Sequence, residues 1–265
     1  MKRIDLFIVD PQYDFVSKNG SLSVPDAEED MKRGAEMIKR LGKKLTNIHV
    51  SMDSHQYNSI FFPSFILNRD NQHPAPFTPI PHADVVNGTY RAAKRQFQDW
   101  LVEYTKKLEE KGKYTLFLWP FHTIVGTKGW SLDENIAEAL KTWELEYFRR
   151  VNFVVKGNNF LTEFYSPLEA EVPRADDPST QLNTEVIKSL SEADEIPVLG
   201  EAKSHCVKSF LESVVNNFGN ENIKKLVLIN DCTSSVPGFE QNGEDAIKEM
   251  MGRGLRIINS VDYLV

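Results

Sequence analysis

The chain has 265 residues, 41% hydrophobic and 26% charged, which is the usage of a globular protein able to bury a full core. Its formal net charge of -7, without a basic block, argues against nucleic acid or an anionic membrane as main partner. The apolar runs are too short for a bilayer span or a signal peptide, and Cys206 and Cys232 are too few for a disulfide framework, so we expect a cytoplasmic protein with free thiols.

Short apolar runs bounded by turn residues predict the buried strands of a parallel sheet. Six such runs occur, at Asp5–Asp10, Asn47–Asp53, Tyr114–Trp119, Val151–Lys156, Pro197–Ala202 and Lys225–Asp231. Helical patterns lie between them, at Asp26–Leu45, Leu132–Trp143, Thr180–Ser191, Cys206–Asn217 and Glu244–Gly252. The second of these helices follows a capping-type Ser131 with Glu134 three residues on. Alternating strands and helices predict an α/β protein with helices on both faces of the sheet.

One stretch interrupts this alternation. Pro63–Pro81 is rich in proline and predicts a long irregular loop, and Arg91–Lys111 behind it has apolar residues at helical spacing. No linker, internal repeat or low-complexity tract is visible in the sequence. We therefore predict a single domain over residues 1–265, with an inserted loop and helix around residues 63–113.

The residues that end the predicted strands are unusually rich in reactive groups. Ligands of open parallel sheets bind outside the carboxyl ends of the strands. The residues at these ends are Asp10, Asp53 with His55, Trp119 with His122, Lys156, the Ala202–Cys206 turn and Asp231. A thiol, an amine, two imidazoles and three carboxylates at one edge predict a catalytic site.

Cys206 lies where a strand turns into a helix, in GEAKSHCV. The helix N-terminus and the cation of Lys156 would favour a thiolate there, and Asp10 could act as general base. Each residue also has an ordinary interpretation: a buried small hydrophobe for the cysteine, a solvated ammonium for the lysine and a turn cap for the aspartate. We interpret Cys232, which has no cation beside it in sequence, as structural.

Asp53, His55 and His122 are candidate metal ligands. Alternate residues of an extended segment point the same way, so Asp53 and His55 can face one point. Two imidazoles and a carboxylate suit a divalent Zn, Fe or Mn ion with open positions for water or substrate. The alternative is that these histidines are ordinary hydrogen-bonded residues.

Five motifs in this order resemble the isochorismatase-like cysteine hydrolases, and among them the nicotinamidases. VDPQYDF is similar to the family's D-x-Q-x-D-F, DSH to D-x-H, and WPFHTIVGTKG to W-P-x-H-C-x-x-G-T-x-G. VVKG matches the catalytic-lysine segment, and GEAKSHCV is similar to G-x-A-x-x-x-C-V. The motifs are specific as an ordered set, although each one alone is weak.

The resemblance implies a three-layer α/β/α sandwich with a six-stranded parallel sheet and a cis peptide bond between Glu201 and Ala202. It also implies the site residues: a triad of Asp10, Lys156 and Cys206, an oxyanion hole from the N–H groups of Ala202 and Cys206, pocket walls from Phe15 and Trp119, and metal ligands Asp53, His55 and His122. The implied reaction is hydrolysis of a small carboxamide through a thioester, with nicotinamide, a compound of NAD metabolism, as first choice. Homo-oligomers are common in the family.

Three departures from the pattern leave alternatives open. The chain reads DSHQYNSIFFPSF where nicotinamidases continue D-x-H-P-x-x-H-x-S-F, so His73 or His82 could approach the metal instead. The segment between Phe65 and Lys113 is longer than in compact nicotinamidases and could reshape the pocket or cover an oligomer interface. Glu201 places a carboxylate where the family usually has an aliphatic residue. The substrate could therefore be a ureido or carbamoyl compound, or the chain could be a non-catalytic member that binds a ligand or a protein partner.

Overall fold

The structure is a computed structural model that describes residues 2–110, 112 and 115–264. The strands are β1 Asp5–Val9, β2 Asn47–Asp53, β3 Ile66–Asn68, β4 Pro79–Ile80, β5 Tyr90–Ala92, β6 Leu116–Phe117, β7 Asn152–Lys156, β8 Ile196–Gly200, β9 Leu226–Ile229 and β10 Arg256–Ile258. The helices are α1 Tyr13–Val16, α2 Ala27–Leu41, α3 His82–Val86, α4 Gln98–Glu110, α5 Glu134–Tyr147, α6 Thr184–Ser191, α7 Lys208–Phe218, α8 Asn220–Ile223 and α9 Glu240–Gly252.

The central sheet has six parallel strands in the order β10-β9-β8-β1-β2-β7. The chain leaves β1 toward β2 and β7, and later returns to β8 on the other side of β1. The order of the strands therefore reverses between β1 and β8, and a crevice opens at their carboxyl ends, where ligands bind in sheets of this kind. The predicted α/β architecture with a six-stranded parallel sheet is confirmed.

Strand β1 shows why both faces of the sheet are covered. Its five residues are all buried, as a central parallel strand requires. Leu6 and Ile8 pack into a core that includes residues of α2 and α5, whereas Phe7 and Val9 pack into a second core with residues of α7 and α9. Because each face of the sheet has its own core, helices must cover both faces, and the protein has three layers.

One predicted strand of the sheet is wrong. Tyr114 lies outside the described residues, and Leu116–Phe117 forms β6, which pairs antiparallel with β4 in a small separate sheet. Leu116 and Trp119 pack into the core of the inserted segment, which explains why this run is apolar without belonging to the main sheet. The sixth strand is β10, whose exposed Arg256 and short length gave no strand signal in the sequence.

Helix boundaries differ from the predictions where local chemistry decides them. Helix α2 ends at Leu41 because Gly42 takes a positive φ of 49°, which favours glycine at a helix end. The N-cap of α5 is Asp133, not Ser131: the Asp133 carboxylate accepts hydrogen bonds from the N–H groups of Asn135 and Ile136. The helix predicted from Cys206 instead begins as α7 at Lys208, after a π-helical turn over Lys203–Val207.

The segment of residues 63–113 is more regular than predicted. The stretch expected to be an irregular loop contains β3 and β4, and the expected helix Arg91–Lys111 is shorter, because Tyr90–Ala92 forms β5 against β3 and Lys111 lies outside the described residues. Helix α4 buries Leu101, Tyr104 and Leu108 in a core of its own. Among the described helices, none combines the length and apolarity that crossing a membrane requires.

Candidate active site

Side chains from three strands meet at the crevice beside β1. The ammonium of Lys156, at the end of β7, lies 3.1 Å from Asp10 Oδ2 and 3.6 Å from Cys206 Sγ. The same ammonium donates to Asp53 Oδ1 at 3.0 Å and to the carbonyl of Phe164 at 2.7 Å. The structure therefore brings together the three residues predicted as a triad, with the lysine at their centre.

The charged groups of this cluster shift one another's pKa values. Burial acts to lower the pKa of Lys156, but the carboxylates of Asp10 and Asp53 outweigh it and raise that pKa well above its ordinary value. Burial raises the pKa of Asp10, against the pull of the lysine. Ser51 donates a hydrogen bond of 2.6 Å to Asp10 Oδ1, which leaves Oδ2 on the side of the lysine. Asp10 is thus a buried carboxylate with an enhanced affinity for a proton.

Cys206 lies in the π-helical turn, a local widening of the helix that is frequent at functional sites. Burial raises the pKa of its thiol well above the ordinary value, and the ammonium of Lys156 only opposes that rise. A resting thiolate, as the sequence position suggested, is not what these surroundings favour.

The three predicted metal ligands also converge. Asp53 pairs with Lys156 in the sheet. His55, which follows β2, forms backbone hydrogen bonds with Thr123 and Val125, and these bring His122 close to it. Asp53 Oδ2 lies 2.8 Å from His55 Nε2 and 3.6 Å from His122 Nε2. One ligand atom from each of the three side chains lies within 4.8 Å of the others.

The donor atoms fit a divalent metal ion. His55 Nδ1 is buried and lacks a hydrogen-bond partner among the described residues, although a buried polar atom normally has one, while His55 Nε2 faces the Asp53 carboxylate at 2.8 Å. The carbonyl of Pro120 lies 2.8 Å from His122 Nδ1 and holds the proton there, so that Nε2 offers a lone pair toward Asp53. Burial lowers the pKa of His55, which keeps that ring neutral as a ligand must be.

Gly157 leaves room for the His55 ring because it has no side chain. It has a φ of +80°, and a Cβ placed there would lie 2.8 Å from two atoms of the His55 ring. We expect Gly157→Ala to displace His55 and to weaken binding of Zn²⁺ by about 10–100-fold, the cost of disturbing the support of a ligand. Titration of the metal-free protein with Zn²⁺ measures this.

Gly88→Ala is the matched control for that variant. Gly88 has a φ of +78°, but no atom lies within 4 Å of its added Cβ. Both variants place an alanine at a positive φ of similar size, so they differ in the contacts of the added Cβ with His55 and with Asp53 Oδ1, which lies 3.2 Å from it. Equal Zn²⁺ affinity in the two variants would contradict the expectation that Gly157 supports the metal ligands.

His73 and His82 do not approach the metal group. His73 Nδ1 lies 2.7 Å from the carbonyl of Ile66, and His82 Nδ1 lies 3.1 Å from Thr105 Oγ1, both within the inserted segment. Within the described ranges, the group able to hold a metal consists of the three predicted residues. The alternative that one of these two histidines replaces a ligand is therefore not supported.

An apolar pocket opens above the thiol. Phe15 and Trp119 line it as predicted, together with Phe164, Tyr165 and His205. Trp119 is held by a hydrogen bond of 3.1 Å from its Nε1 to the hydroxyl of Tyr165. The Phe15 ring centroid lies 5.4 Å from that of His122. Flat aromatic walls next to the metal group suit a small planar molecule.

His205 is a buried wall of the pocket and makes the fold sensitive to acid. Burial lowers its pKa from 6.5 to about 4, so the folded protein keeps it neutral while the unfolded chain takes up a proton below about pH 6.5. Because the unfolded state binds more protons there, stability falls as the pH falls. We expect a loss of up to about 3 kcal/mol in the free energy of unfolding between about pH 6.5 and about pH 4.

Urea unfolding of the wild type and of His205→Asn across this pH range tests the expectation. The amide does not titrate, so the variant should lose less stability on acidification. Parallel profiles for the two proteins would show that His205 does not bind its proton differently on unfolding.

Sequence reasoning missed the segment after β7. Glu163, Phe164 and Tyr165 line the pocket, and the Phe164 carbonyl accepts a hydrogen bond from Lys156. Burial, with the carboxylate of Asp53 nearby, raises the pKa of Glu163 to about 8. These residues lie in an irregular segment without periodicity, and the sequence offered no signal for them beyond the proximity of Glu163 to Lys156 in the chain.

The inserted segment holds this part of the pocket. Trp100 of α4 donates a hydrogen bond of 2.7 Å to the carbonyl of Leu161, and the Tyr104 hydroxyl accepts one of 3.1 Å from the Glu163 N–H. The guanidinium of Arg174 lies 4.4 Å from the centre of the Trp100 ring. Helix α4 therefore buttresses the residues that line the pocket opposite the sheet.

The turn after β8 carries the remaining predicted residues. The peptide bond between Glu201 and Ala202 is cis, as the resemblance implies. The carbonyl of Ala202 accepts hydrogen bonds from the N–H groups of His205 and Val207, which starts the π-helical turn that carries the thiol. Ala202 and Cys206 both line the pocket.

Several solved structures of nicotinamidases and pyrazinamidases share this architecture. The yeast nicotinamidase bound to the inhibitor nicotinaldehyde matches with a TM-score of 0.66 and 19% identity, over 97% of this chain and 99% of that one. A nicotinamidase and pyrazinamidase from Acinetobacter baumanii matches at 0.64 and 19%, over 100% and 99% of the two chains. The pyrazinamidase of Pyrococcus horikoshii in complex with zinc matches at 0.57 and 18%, over 97% and 99%.

These likenesses cover nearly the whole of each chain, so the described part of the protein has the fold of these enzymes. No protein-family model matches the sequence, and no curated protein resembles it significantly. At such low identity the agreement shows the fold, and the function has to be argued from the site.

Proposed function

We propose that this protein is a cysteine amidohydrolase that cleaves a small carboxamide through a thioester, with nicotinamide as the first substrate to test. The observation that carries the proposal is the arrangement around Lys156, whose ammonium lies 3.6 Å from Cys206 Sγ and 3.1 Å from Asp10 Oδ2. A nucleophile, a proton acceptor and a fixed cation within reach of one another are what acyl transfer needs.

The first half of the reaction forms the thioester. Asp10 takes the proton of the Cys206 thiol as Sγ bonds to the amide carbon, and the carbonyl electrons move onto oxygen. The N–H groups of Ala202 and Cys206 stabilise this oxyanion, each contributing about 3 kcal/mol. When the intermediate collapses, the C–N bond breaks, Asp10 returns its proton to the nitrogen, and ammonia leaves.

The second half restores the enzyme. Asp10 takes a proton from water, whose oxygen attacks the thioester carbon. The C–S bond breaks, the carboxylic acid is released, and Asp10 returns its proton to the sulfur. Lys156 remains positively charged throughout and stabilises negative charge on the sulfur and on Asp10.

Asp53, His55 and His122 would hold a divalent metal ion beside this path. When bound, such an ion supplies a Lewis acid that can orient a ring nitrogen or a water molecule. Phe15, Trp119 and His205 would enclose the planar substrate and exclude bulk water.

The test is ammonia release from nicotinamide by the purified, Zn²⁺-loaded protein. Pyrazinamide, benzamide and a ureido compound complete the panel. Release from nicotinamide supports the proposal in full, whereas release from the ureido compound alone would keep the thioester chemistry and change the substrate. No ammonia from any member of the panel at high enzyme concentration would reject the amidohydrolase.

A further inference from the structure

Glu201 is a buried carboxyl group that the proposed chemistry does not use. It directly precedes Ala202, and its side chain is fully buried. Among the residues that the structure describes, no cation forms a salt bridge with it, and no N–H or O–H group donates a hydrogen bond to its Oε1. Lys203, next in the turn, directs its ammonium instead to Glu244 at 3.4 Å. A carboxylate in such surroundings would be strongly disfavoured.

Ser234 connects the two residues on either side of Ala202. Its N–H donates to Glu201 Oε2 at 3.1 Å, and its carbonyl accepts from the Lys203 N–H at 2.7 Å. The backbone of Glu201 is also fixed, since its N–H donates to the carbonyl of Val9 at 2.8 Å. Ala202 is therefore held between two anchors, one of which is the Glu201 side chain.

Asp30 of α2 completes the arrangement. Its Oδ2 accepts a hydrogen bond of 2.6 Å from Ser234 Oγ, and its Oδ1 lies 2.6 Å from the guanidinium of Arg33. Asp30 therefore has a cation of its own, which Glu201 lacks among the described residues. Burial and the Asp30 carboxylate raise the pKa of Glu201 well above its ordinary value, and they outweigh the Ser234 N–H and Lys203, which both act to lower that pKa.

We propose that Glu201 is a positioning residue, a neutral carboxylic acid that links Ser234 to Asp30 and so holds the Ala202 N–H in place for the oxyanion. One oxygen accepts the Ser234 N–H, and the protonated oxygen donates to the Asp30 carboxylate. The inference rests on the proposed amidohydrolase function, since it assigns Glu201 a task in that reaction.

Glu201→Gln and Glu201→Ala separate this role from simple filling of space. Glutamine has the shape of the neutral acid, with an oxygen for Ser234 and an N–H for Asp30, so kcat for nicotinamide should stay within about threefold of wild type. Alanine removes both links, and kcat should fall about 10–100-fold with little change in KM, because the oxyanion exists only after attack. If Glu201→Gln lost as much kcat as Glu201→Ala, or if Glu201→Ala kept its kcat, the proposal would be overturned.

A second measurement tests whether Glu201 is protonated in the folded protein, and it does not depend on enzyme activity. A carboxyl that stays protonated in the folded state but ionises in the unfolded state makes the wild type lose stability as the pH rises above about 4.5. The Tm of Glu201→Gln relative to wild type should therefore rise between about pH 5 and about pH 8. A difference that is constant or falls with pH would contradict the proposal, and this result holds even if Glu201→Ala does not fold.

Glu195→Gln is the matched control. Glu195 is an equally buried glutamate, but Lys2 and Arg256 form ion pairs with it, and these partners lower its pKa against the effect of burial. The stability that these ion pairs add is complete above about pH 4.5 and is lost only at lower pH, so the Tm of Glu195→Gln relative to wild type should stay constant between about pH 5 and about pH 8, unlike that of Glu201→Gln. Ammonia release by the wild type is measured first: its absence rejects the amidohydrolase, whereas its presence with unfavourable results for both Glu201 arms rejects the positioning role alone.

Discussion

Cys206→Ala should reduce the rate of ammonia release from nicotinamide by about 10⁴-fold or more, because the thioester cannot form without the sulfur. The variant keeps Lys156, Asp10 and the pocket, so substrate should still bind. Substrate affinity, measured by calorimetry, should change far less than kcat. This combination of lost turnover and retained binding distinguishes a missing nucleophile from a damaged fold.

The chain offers a matched control in its other cysteine. Cys232 is as buried as Cys206, but its Sγ lies 3.8 Å from Asp231 and the thiol has no place in the proposed mechanism. Cys232→Ala should keep its kcat within about threefold of wild type. Ammonia release that survives in Cys206→Ala would place the chemistry elsewhere and would remove the basis of the proposed function.

Lys156→Met should damage both stability and catalysis. Methionine fills similar space but leaves the carboxylates of Asp10 and Asp53 buried without the ammonium that lies 3.1 and 3.0 Å from them. Removing one partner of a buried charge cluster typically costs about 3–5 kcal/mol of stability. The loss of charge stabilisation should lower kcat by at least about 10²–10³-fold. Denaturant unfolding and ammonia release measure the two effects.

Two comparisons sharpen that experiment. Lys141→Met removes an ammonium that lies 3.0 Å from Glu138 on the exposed face of α5, and exposed pairs of this kind contribute little to stability. Adding Asp10→Asn to Lys156→Met removes one of the uncompensated charges and should restore part of the stability without restoring activity. If Lys156→Met were as stable as Lys141→Met, the buried cluster would not be charged as described.

The residues that lie at the carboxyl edge of the sheet were easier to predict from the sequence than the rest of the molecule. Asp10, Asp53 and Lys156 each end an apolar run, and the carboxyl ends of parallel strands necessarily share one edge. Residue type and position along the chain were therefore enough to predict that these groups lie near one another. The same reasoning predicted that His55 and His122 lie near Asp53.

Other parts depended on contacts that no local pattern reports. The run that contains Leu116 has the apolarity of a sheet strand, but it packs with the inserted segment, and only tertiary structure shows which core it joins. Strand β10 is short and lies at the edge of the sheet, so burial imposes no clear pattern on it. Glu163 and Tyr165 face the pocket from an irregular segment, where side-chain direction has no period to follow.

The thiol position was predicted, but its electrostatics were not. A cysteine near a helix start and a lysine suggests a low pKa, yet the depth of burial reverses that expectation. Burial depends on the packing of the whole chain and cannot be read from neighbours in sequence. The same holds for Glu201, whose carboxyl stood out as a departure in the sequence but meets Ser234 and Asp30 only in the folded chain.

The hydrogen bonds from α4 to the segment after β7 mean that different parts of the molecule hold the reacting groups and the pocket wall. The reacting groups lie at the carboxyl edge of the central sheet. The segment after β7, which lines the opposite side of the pocket, is held by hydrogen bonds to Trp100 and Tyr104, and these belong to the core of the inserted segment. Exchange of residues 63–110 for a different stretch could therefore reshape what the cavity accepts and leave the chemical groups untouched. Change in substrate preference and retention of chemistry can proceed independently in such a protein.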